Sequence, residues 1–223
     1  MSIPNAEGCH ICPFHRPTGA GRALLCQRAT RRSLRARSIV YDTSTPATSA
    51  FIVRSGAVKL CTWDAAGREH LLDLALPGVV LGCEGVFGGP HGATAVALVS
   101  TTLCVLQAED LVHALDDDPQ LARKMAAHLH AALLRAREHV VLLGLTGAPA
   151  RIARHLADRI EPHPEGATVR RVLTLAEVGA RTAMSAETVC RVMAEFEATG
   201  ILRADAKVIH ILDEDRLLKL ARK

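Results

Sequence analysis

Residues Thr174 to Arg191, TLAEVGARTAMSAETVCR, constrain this chain most, because their spacing suits two short helices joined by a tight turn. Leu175, Val178 and Ala180 face inward on the first helix, Thr182 and Ala183 make the turn, and Ser185 N-caps a second helix running to about Thr199. On the second helix Val189, Val192, Met193 and Phe196 recur at core spacing, whereas Glu187, Cys190 and Arg191 stand at i, i+3 and i+4 on another face. An arginine there can fork onto guanine O6 and N7 in a major groove, and a glutamate can accept from a cytosine amine, so the face has the chemistry of base readout. The same residues also suit an ordinary exposed salt-bridge face, and a short helix-turn-helix match does not choose between the two.

A chain of 223 residues is long enough for one large domain or two small ones, and two are expected. Apolar residues make up 49% but aromatics only 3%, so the cores must be built from Leu, Val and Ala. No apolar run approaches the roughly 18 residues that span a bilayer, and MSIPNAEG lacks the charged-then-apolar order of a signal peptide, which predicts a cytoplasmic protein without a membrane partner. The net charge of +4 permits nucleic-acid binding without demanding it. The run Arg28, Arg31, Arg32, Arg35 and Arg37 suits a solvated face, with contact to phosphate or another subunit as its other use. Seven cysteines, an odd number without an export signal, argue against a disulfide framework and turn attention to metal or redox chemistry.

Residues 1–20 contain GCHICPFHRPTGAG, a cysteine-containing N-terminal loop. Cys9 and Cys12 form a C-x2-C pair beside His10 and His15; a short turn can bring two such sulfurs onto one metal or cluster, with further ligands from elsewhere, or the pair is simply two thiols on an untied tail. A short helix carrying Cys26 is expected from about Arg22 to Arg32. Short apolar segments follow at Ser38–Tyr41, Phe51–Val53, Val58–Thr62, His70–Leu76, Val79–Leu81, Ala93–Val99 and Thr102–Leu106, parted by Pro- and Gly-rich turns, so residues 21–117 predict a small β sandwich or barrel. Asp118 as N-cap and Pro119 at the first position open a long helix over 118–144. Its stripe of Leu121, Met125, Leu129, Leu133, Ala136, Val140 and Leu143 needs partners, and its own domain and a second copy of the helix are expected on different faces. GLTGAP over 144–149 is a linker, and residues 148–223 predict a winged helix-turn-helix: a helix over 150–160, a loop over 162–166, the opening stretch, a two-stranded wing around Asp205–Lys207 and a helix from Asp213. No Gly-rich phosphate loop, His-Glu-x-x-His or nucleophile elbow occurs, so no enzyme is expected.

With FIVRSGAVKL at 51–60, the turn DAAGRE at 64–69, LPGVVLG at 76–82 and AETVCRVMAEFEATGIL at 186–202, this order resembles the CRP/FNR superfamily of bacterial transcription regulators over nearly the whole chain. The resemblance implies an α+β fold: a jelly roll of the cyclic-nucleotide-binding type, a long dimerisation helix and a C-terminal winged helix-turn-helix. It implies a homodimer on a palindromic operator in double-stranded DNA, with RNA polymerase as a further partner. Ser185, Glu187, Thr188, Cys190 and Arg191 are the expected DNA contacts; Cys190 stands where the FNR branch usually has serine. Cyclic nucleotides are not expected, because Gly82-Cys83-Glu84 breaks up the family's glycine-glutamate pair and Gly92-Ala93-Thr94-Ala95 stands where its phosphate arginine belongs. The cysteines resemble those of the FNR branch, which implies a [4Fe-4S] cluster sensing oxygen, nitric oxide or redox state through Cys9, Cys12, Cys26 and Cys104. The third ligand departs from the family spacing, since Cys26 lies well beyond Cys12; His15 is its alternative, and Cys61 and Cys83 are expected as core thiols. A regulator without a cluster, switched by oxidation of Cys190 or by zinc or haem, is the other reading.

Overall fold

The computed structural model describes Leu25, residues 27–164 and residues 166–222. Strands β1 (Thr30–Leu34), β2 (Ile39–Tyr41), β3 (Ser49–Ser55), β4 (Val58–Trp63), β5 (Glu69–Ala75), β6 (Val80–Leu81), β7 (Thr94–Ala97) and β8 (Thr101–Gln107) form two sheets, ordered β1-β8-β3-β6 and β2-β7-β4-β5. The period of two along each strand divides the apolar residues between two cores. Phe51, Val53 and Leu103 join Val40, Tyr41 and Val58 inside the roll, while Ile52, Cys104 and Leu106 point to the other side of their sheet. That outer side is covered by helix α1 (Ala108–Asp117), through Leu111 and Ala114, and by the start of the long helix α2 (Pro119–Gly144), through Leu121 and Met125. Gly56 makes the β3–β4 turn at φ 86, where a Cβ would meet the Ser100 carbonyl at 2.6 Å, so a side chain fits neither the backbone nor the space.

Asp118 opens α2 as expected: its carboxylate accepts from the amides of Gln120 and Leu121. The apolar stripe then changes partner along the helix. Leu121 and Met125 are buried, whereas Leu133, Leu134, Val140 and Val141 are exposed in the single chain.

The chain divides into two compact units, one reaching Thr62 and resuming over Leu72–Arg135, the other made of Trp63–Leu71 and the residues from Ala136 onward. In the second, α3 (Ala148–Ala157), α4 (Leu175–Thr182), α5 (Ala186–Ala198) and α6 (Glu214–Leu220) surround a core of Ile152, Leu156, Val189, Val192, Phe196 and Leu217. Strands β9 (Glu161–His163), β10 (Gly166–Arg170), β11 (Leu202–Ala204) and β12 (Val208–Ile211) form its sheet in the order β11-β12-β10-β9. β-Roll, long helix and winged helix-turn-helix follow one another as the sequence predicts. Among the described residues no helix is long and apolar enough to cross a membrane.

Two local expectations are corrected, and one element is added. The helix expected to reach Arg32 gives way to β1 at Thr30, because the edge of β8 offers a ladder, Thr30 to Val105 through Leu34 to Thr101, that outweighs weak local helix preference. The loop expected over 162–166 is instead a hairpin; Pro162 is tolerated because β9 is an edge strand and no ladder needs its missing N–H. Helix α1 is an addition to the expected elements, although Leu111 and Ala114 sit at i and i+3. Within the arginine run, Arg28 pairs with Asp110 and Arg32 donates to the Val40 carbonyl at 3.0 Å, while Arg31, Arg35 and Arg37 are exposed.

Candidate DNA-reading face and sensor cysteine

The helix-turn-helix is set by short-range bonds at its three corners. Thr174 caps α4 in a capping box: its hydroxyl accepts from the Glu177 amide at 3.2 Å, and the Glu177 carboxylate accepts from the Thr174 amide at 2.9 Å. Ala183 closes that helix in the left-handed region at φ 53, and Ser185 starts α5 by accepting from the Thr188 amide at 3.2 Å. Between them Gly179 is buried; a Cβ on it would lie 2.5 Å from the Met184 carbonyl, so the turn closes this tightly only over glycine. Sequence reasoning missed this glycine; a small residue five positions before the Met184 turn is the signal that could have found it.

Along α5, Val189, Val192 and Phe196 are buried, and Glu187, Cys190 and Arg191 are exposed. The Ser185 hydroxyl lies 3.0 Å from that of half-buried Thr188, so both hydroxyls take part in the cap at the helix start. The wing carries exposed Lys207 and Arg203, and Arg171 donates to the Asp205 carbonyl at 2.7 Å, which ties the chain before α4 to the wing. Behind this surface His155 is fully buried, and Nδ1 has no hydrogen-bond partner among the described residues. Burial first, then the charges of Arg159, Arg181 and His139, hold its pKa well below the usual histidine value. Burial and the Arg181 charge likewise lower Arg159 to about 10.

In the roll, Cys104 is buried on β8, opposite Arg31 of β1 and Ile52 of β3. Its side chain belongs to the same core as Leu25 and Ala29, which flank Cys26 in sequence. Cys9, Cys12, His15 and Cys26 lie outside the described residues. Cys61 is buried in β4 with its sulfur 3.7 Å from the Thr94 carbonyl. Cys83 sits beyond β6, whose Val80 is separated from Cys104 by Ile52 of β3, and burial followed by the Glu84 charge pushes its thiol up to about 11. Among the described residues no three His, Cys, Asp or Glu side chains gather as a metal site.

Between the roll and α2 lies a cavity of about 270 Å³. Its polar lining consists of Tyr41, Asp73, Cys83, Glu84, His128 and Arg135, with apolar walls from residues such as Leu60, Leu81 and Leu129. Arg135 is engaged by Asp73, with nitrogen–oxygen distances of 3.1 to 3.4 Å, and His128 Nε2 meets the backbone of Val80. Glu84 lies 3.4 Å from His91, whose ring stacks on Tyr41. Ala93 and Thr94 are buried in or beside β7 and do not line this space.

A β-roll followed by a long helix and a winged helix-turn-helix is the architecture of a DNA-binding transcription regulator. Comparison with known proteins agrees: residues 31–118 match the cyclic nucleotide-binding domain and residues 150–220 the Crp-like helix-turn-helix domain. The chain is 30% identical to the transcriptional activator protein FnrA of Stutzerimonas stutzeri, over 78% of this chain and 72% of that protein. It is 29% identical to the transcriptional activator protein Anr of Pseudomonas aeruginosa, over 85% of this chain and 80% of the relative. The structure of FixK2 from Bradyrhizobium japonicum superposes with a TM-score of 0.77 at 28% identity, covering 86% of this chain and 96% of FixK2. The chain belongs to the CRP/FNR family of transcription regulators, DNA-binding proteins rather than enzymes.

Proposed function

We propose that this regulator acts as a homodimer on a palindromic FNR-like operator and that a [4Fe-4S] cluster in its N-terminal part sets its DNA affinity in response to oxygen, nitric oxide or redox state. The observation that carries the reading is the side taken by Cys104: it faces the core shared with Leu25 and Ala29, described residues on either side of Cys26 in the sequence. The donor set also suits the group, since four thiolates, Cys9, Cys12, Cys26 and Cys104, are the ligands such a cluster takes. When bound, the cluster supplies a link that oxygen or nitric oxide can dismantle. Cys104 holds its end of that link in a rigid strand, and Leu25 and Ala29 anchor the other end against Leu111, Leu121 and Met125. Loss of the link loosens the layer on which the start of α2 rests.

In this account the functional division is a cysteine loop over 1–20, a sensor roll over 21–117, a dimerisation helix over 118–144 and a DNA-binding domain over 148–223. Leu133, Leu134, Val140 and Val141 are the apolar residues available to a second copy of α2. Glu187 and Arg191 read bases, Ser185 and Thr188 face phosphate or base edges at the helix start, and Cys190 lies between them. RNA polymerase is the partner that turns binding into activation or repression. Cyclic nucleotides are not the effector, because the one arginine among the cavity's lining residues is already paired with Asp73, and Glu84 there would repel a phosphate.

The test is anaerobic purification with iron and sulfide analysis and a visible spectrum. Wild type is expected to be coloured and to hold close to four irons per chain if the cluster is of the cubane type, and Cys104→Ser is expected to be colourless. A wild-type protein without iron when prepared under argon contradicts the reading.

One observation favours a second reading, a thiol switch: Cys190 is exposed on the α5 face that carries Arg191. Oxidation to sulfenic or sulfinic acid would add bulk and negative potential toward DNA phosphates. On this reading Cys190→Ser binds the operator as wild type does but no longer loses binding in peroxide; retained peroxide sensitivity rejects it.

A further inference from the structure

We propose that the Asp73–Arg135 ion pair is a latch that fastens α2 to strand β5 and passes the state of the roll into the helix. The inference deepens the proposed function and rests on its premise that the roll governs DNA affinity. Four observations carry it. The early part of α2 is held by packing, through Leu121 and Met125, but from His128 onward its attachment to the roll changes character. His128 bonds to the backbone of Val80 at 3.1 Å, and seven residues later Arg135 grips Asp73 with Nε and Nη2. Two turns of helix, about 10 Å, therefore separate two polar grips, and the Leu129 and Ala132 side chains between them border an open cavity. Finally, Arg135 is the last residue of the first compact unit, and α2 continues into the second from Ala136.

A helix pinned over a void by directional bonds behaves differently from one embedded in a core. Packing resists displacement over a broad surface, whereas a paired guanidinium and carboxylate has one good geometry and is lost when either partner shifts by an ångström or two. Asp73 is itself the β5 residue in the cavity's lining, so a change of strand position in the roll reaches Arg135 directly. The two side chains are 21% and 32% exposed, enough shelter to favour the pair and enough solvent to let it open. Arg135 is thus a positioning residue of the helix, held by Asp73 of its own chain.

The test uses the full chain and three variants: Asp73→Asn, Arg135→Gln and the exchange D73R/R135D. Asp73→Asn is nearly isosteric, and thermal unfolding of every variant is recorded so that loss of fold is separated from loss of the latch. Amide hydrogen exchange is followed across residues 128–143, together with affinity for a DNA duplex that the wild-type protein enriches from a random pool. Both single variants are expected to exchange faster in that segment and to bind the duplex roughly 5- to 20-fold more weakly, the lower part of the usual range for coupled sites. The exchange is expected to recover binding to within about threefold of wild type. Unchanged DNA affinity in the folded single variants, with or without faster exchange, overturns the proposal, and so does an exchanged pair that binds no better than either single. Variants are compared with wild type under air and under argon with iron measured in each, so a missing cluster, which defeats the functional reading, leaves the latch comparison standing.

Discussion

Burial of His155 among Arg159, Arg181 and His139 ties the stability of the second unit to pH. Above the ordinary histidine value of about 6.5 the imidazole is neutral in both the folded and the unfolded chain, and it contributes no pH dependence. As pH falls below that value the unfolded chain binds a proton that the fold refuses, so stability declines, by up to about 1.4 kcal/mol per pH unit for one site. The melting temperature of the C-terminal unit should therefore fall between pH 6.5 and 5, and His155→Leu should flatten that fall; equal slopes for the two proteins would refute the assignment. Nothing in the sequence marks His155 apart from the other histidines. Arg159 stands one helical turn on, but Arg181 and His139 come from distant parts of the chain, and that meeting no local spacing encodes. The exposed face of α5 is the opposite case. The split of α5 into Val189, Val192 and Phe196 on one side and Glu187, Cys190 and Arg191 on the other is a helical period, legible from residue spacing alone.

At the scale of elements, the turn between α4 and α5 is the most sensitive joint. Gly179 lets the Met184 carbonyl come within 2.5 Å of where a Cβ would stand, and the Met184 amide donates back to the Gly179 carbonyl at 3.0 Å. Gly179→Ala must push that turn open, at a cost of about 1–3 kcal/mol, and it should lower both the melting temperature and operator affinity. A variant with wild-type melting and binding would show that the turn yields freely. The strands and helices legible in the sequence are those with complete local signals: alternation in β3 and β8, and Asp118-Pro119 and Ser185 as caps. Elements such as β1 and β9 are hidden because they form on the edges of existing sheets, by pairing with residues distant in sequence or across a proline that local rules read as a break. The Asp73–Arg135 pair spans 62 residues and is hidden for the same reason.

At the scale of the molecule, one long helix serves three demands. Its first turns complete a core with the roll, its middle is fastened at His128 and Arg135, and its exposed leucines and valines are the residues the proposed dimer would cover. In the proposed mechanism a change in the roll is felt as a change in how that helix is held, and the DNA-binding domain responds through the proposed dimer. The order of domains is legible in composition, turns and caps; the side of the sheet taken by Cys104 follows from strand alternation together with the register of β8 on β3. The measurement that tests the central claim most directly is operator affinity of a single anaerobic preparation before and after exposure to air, with the visible spectrum recorded alongside. The account predicts that the cluster absorbance bleaches and that affinity falls at least tenfold, equivalent to about 1.4 kcal/mol. An affinity that stays the same while the colour disappears, or a preparation that binds tightly with no colour at all, would contradict it.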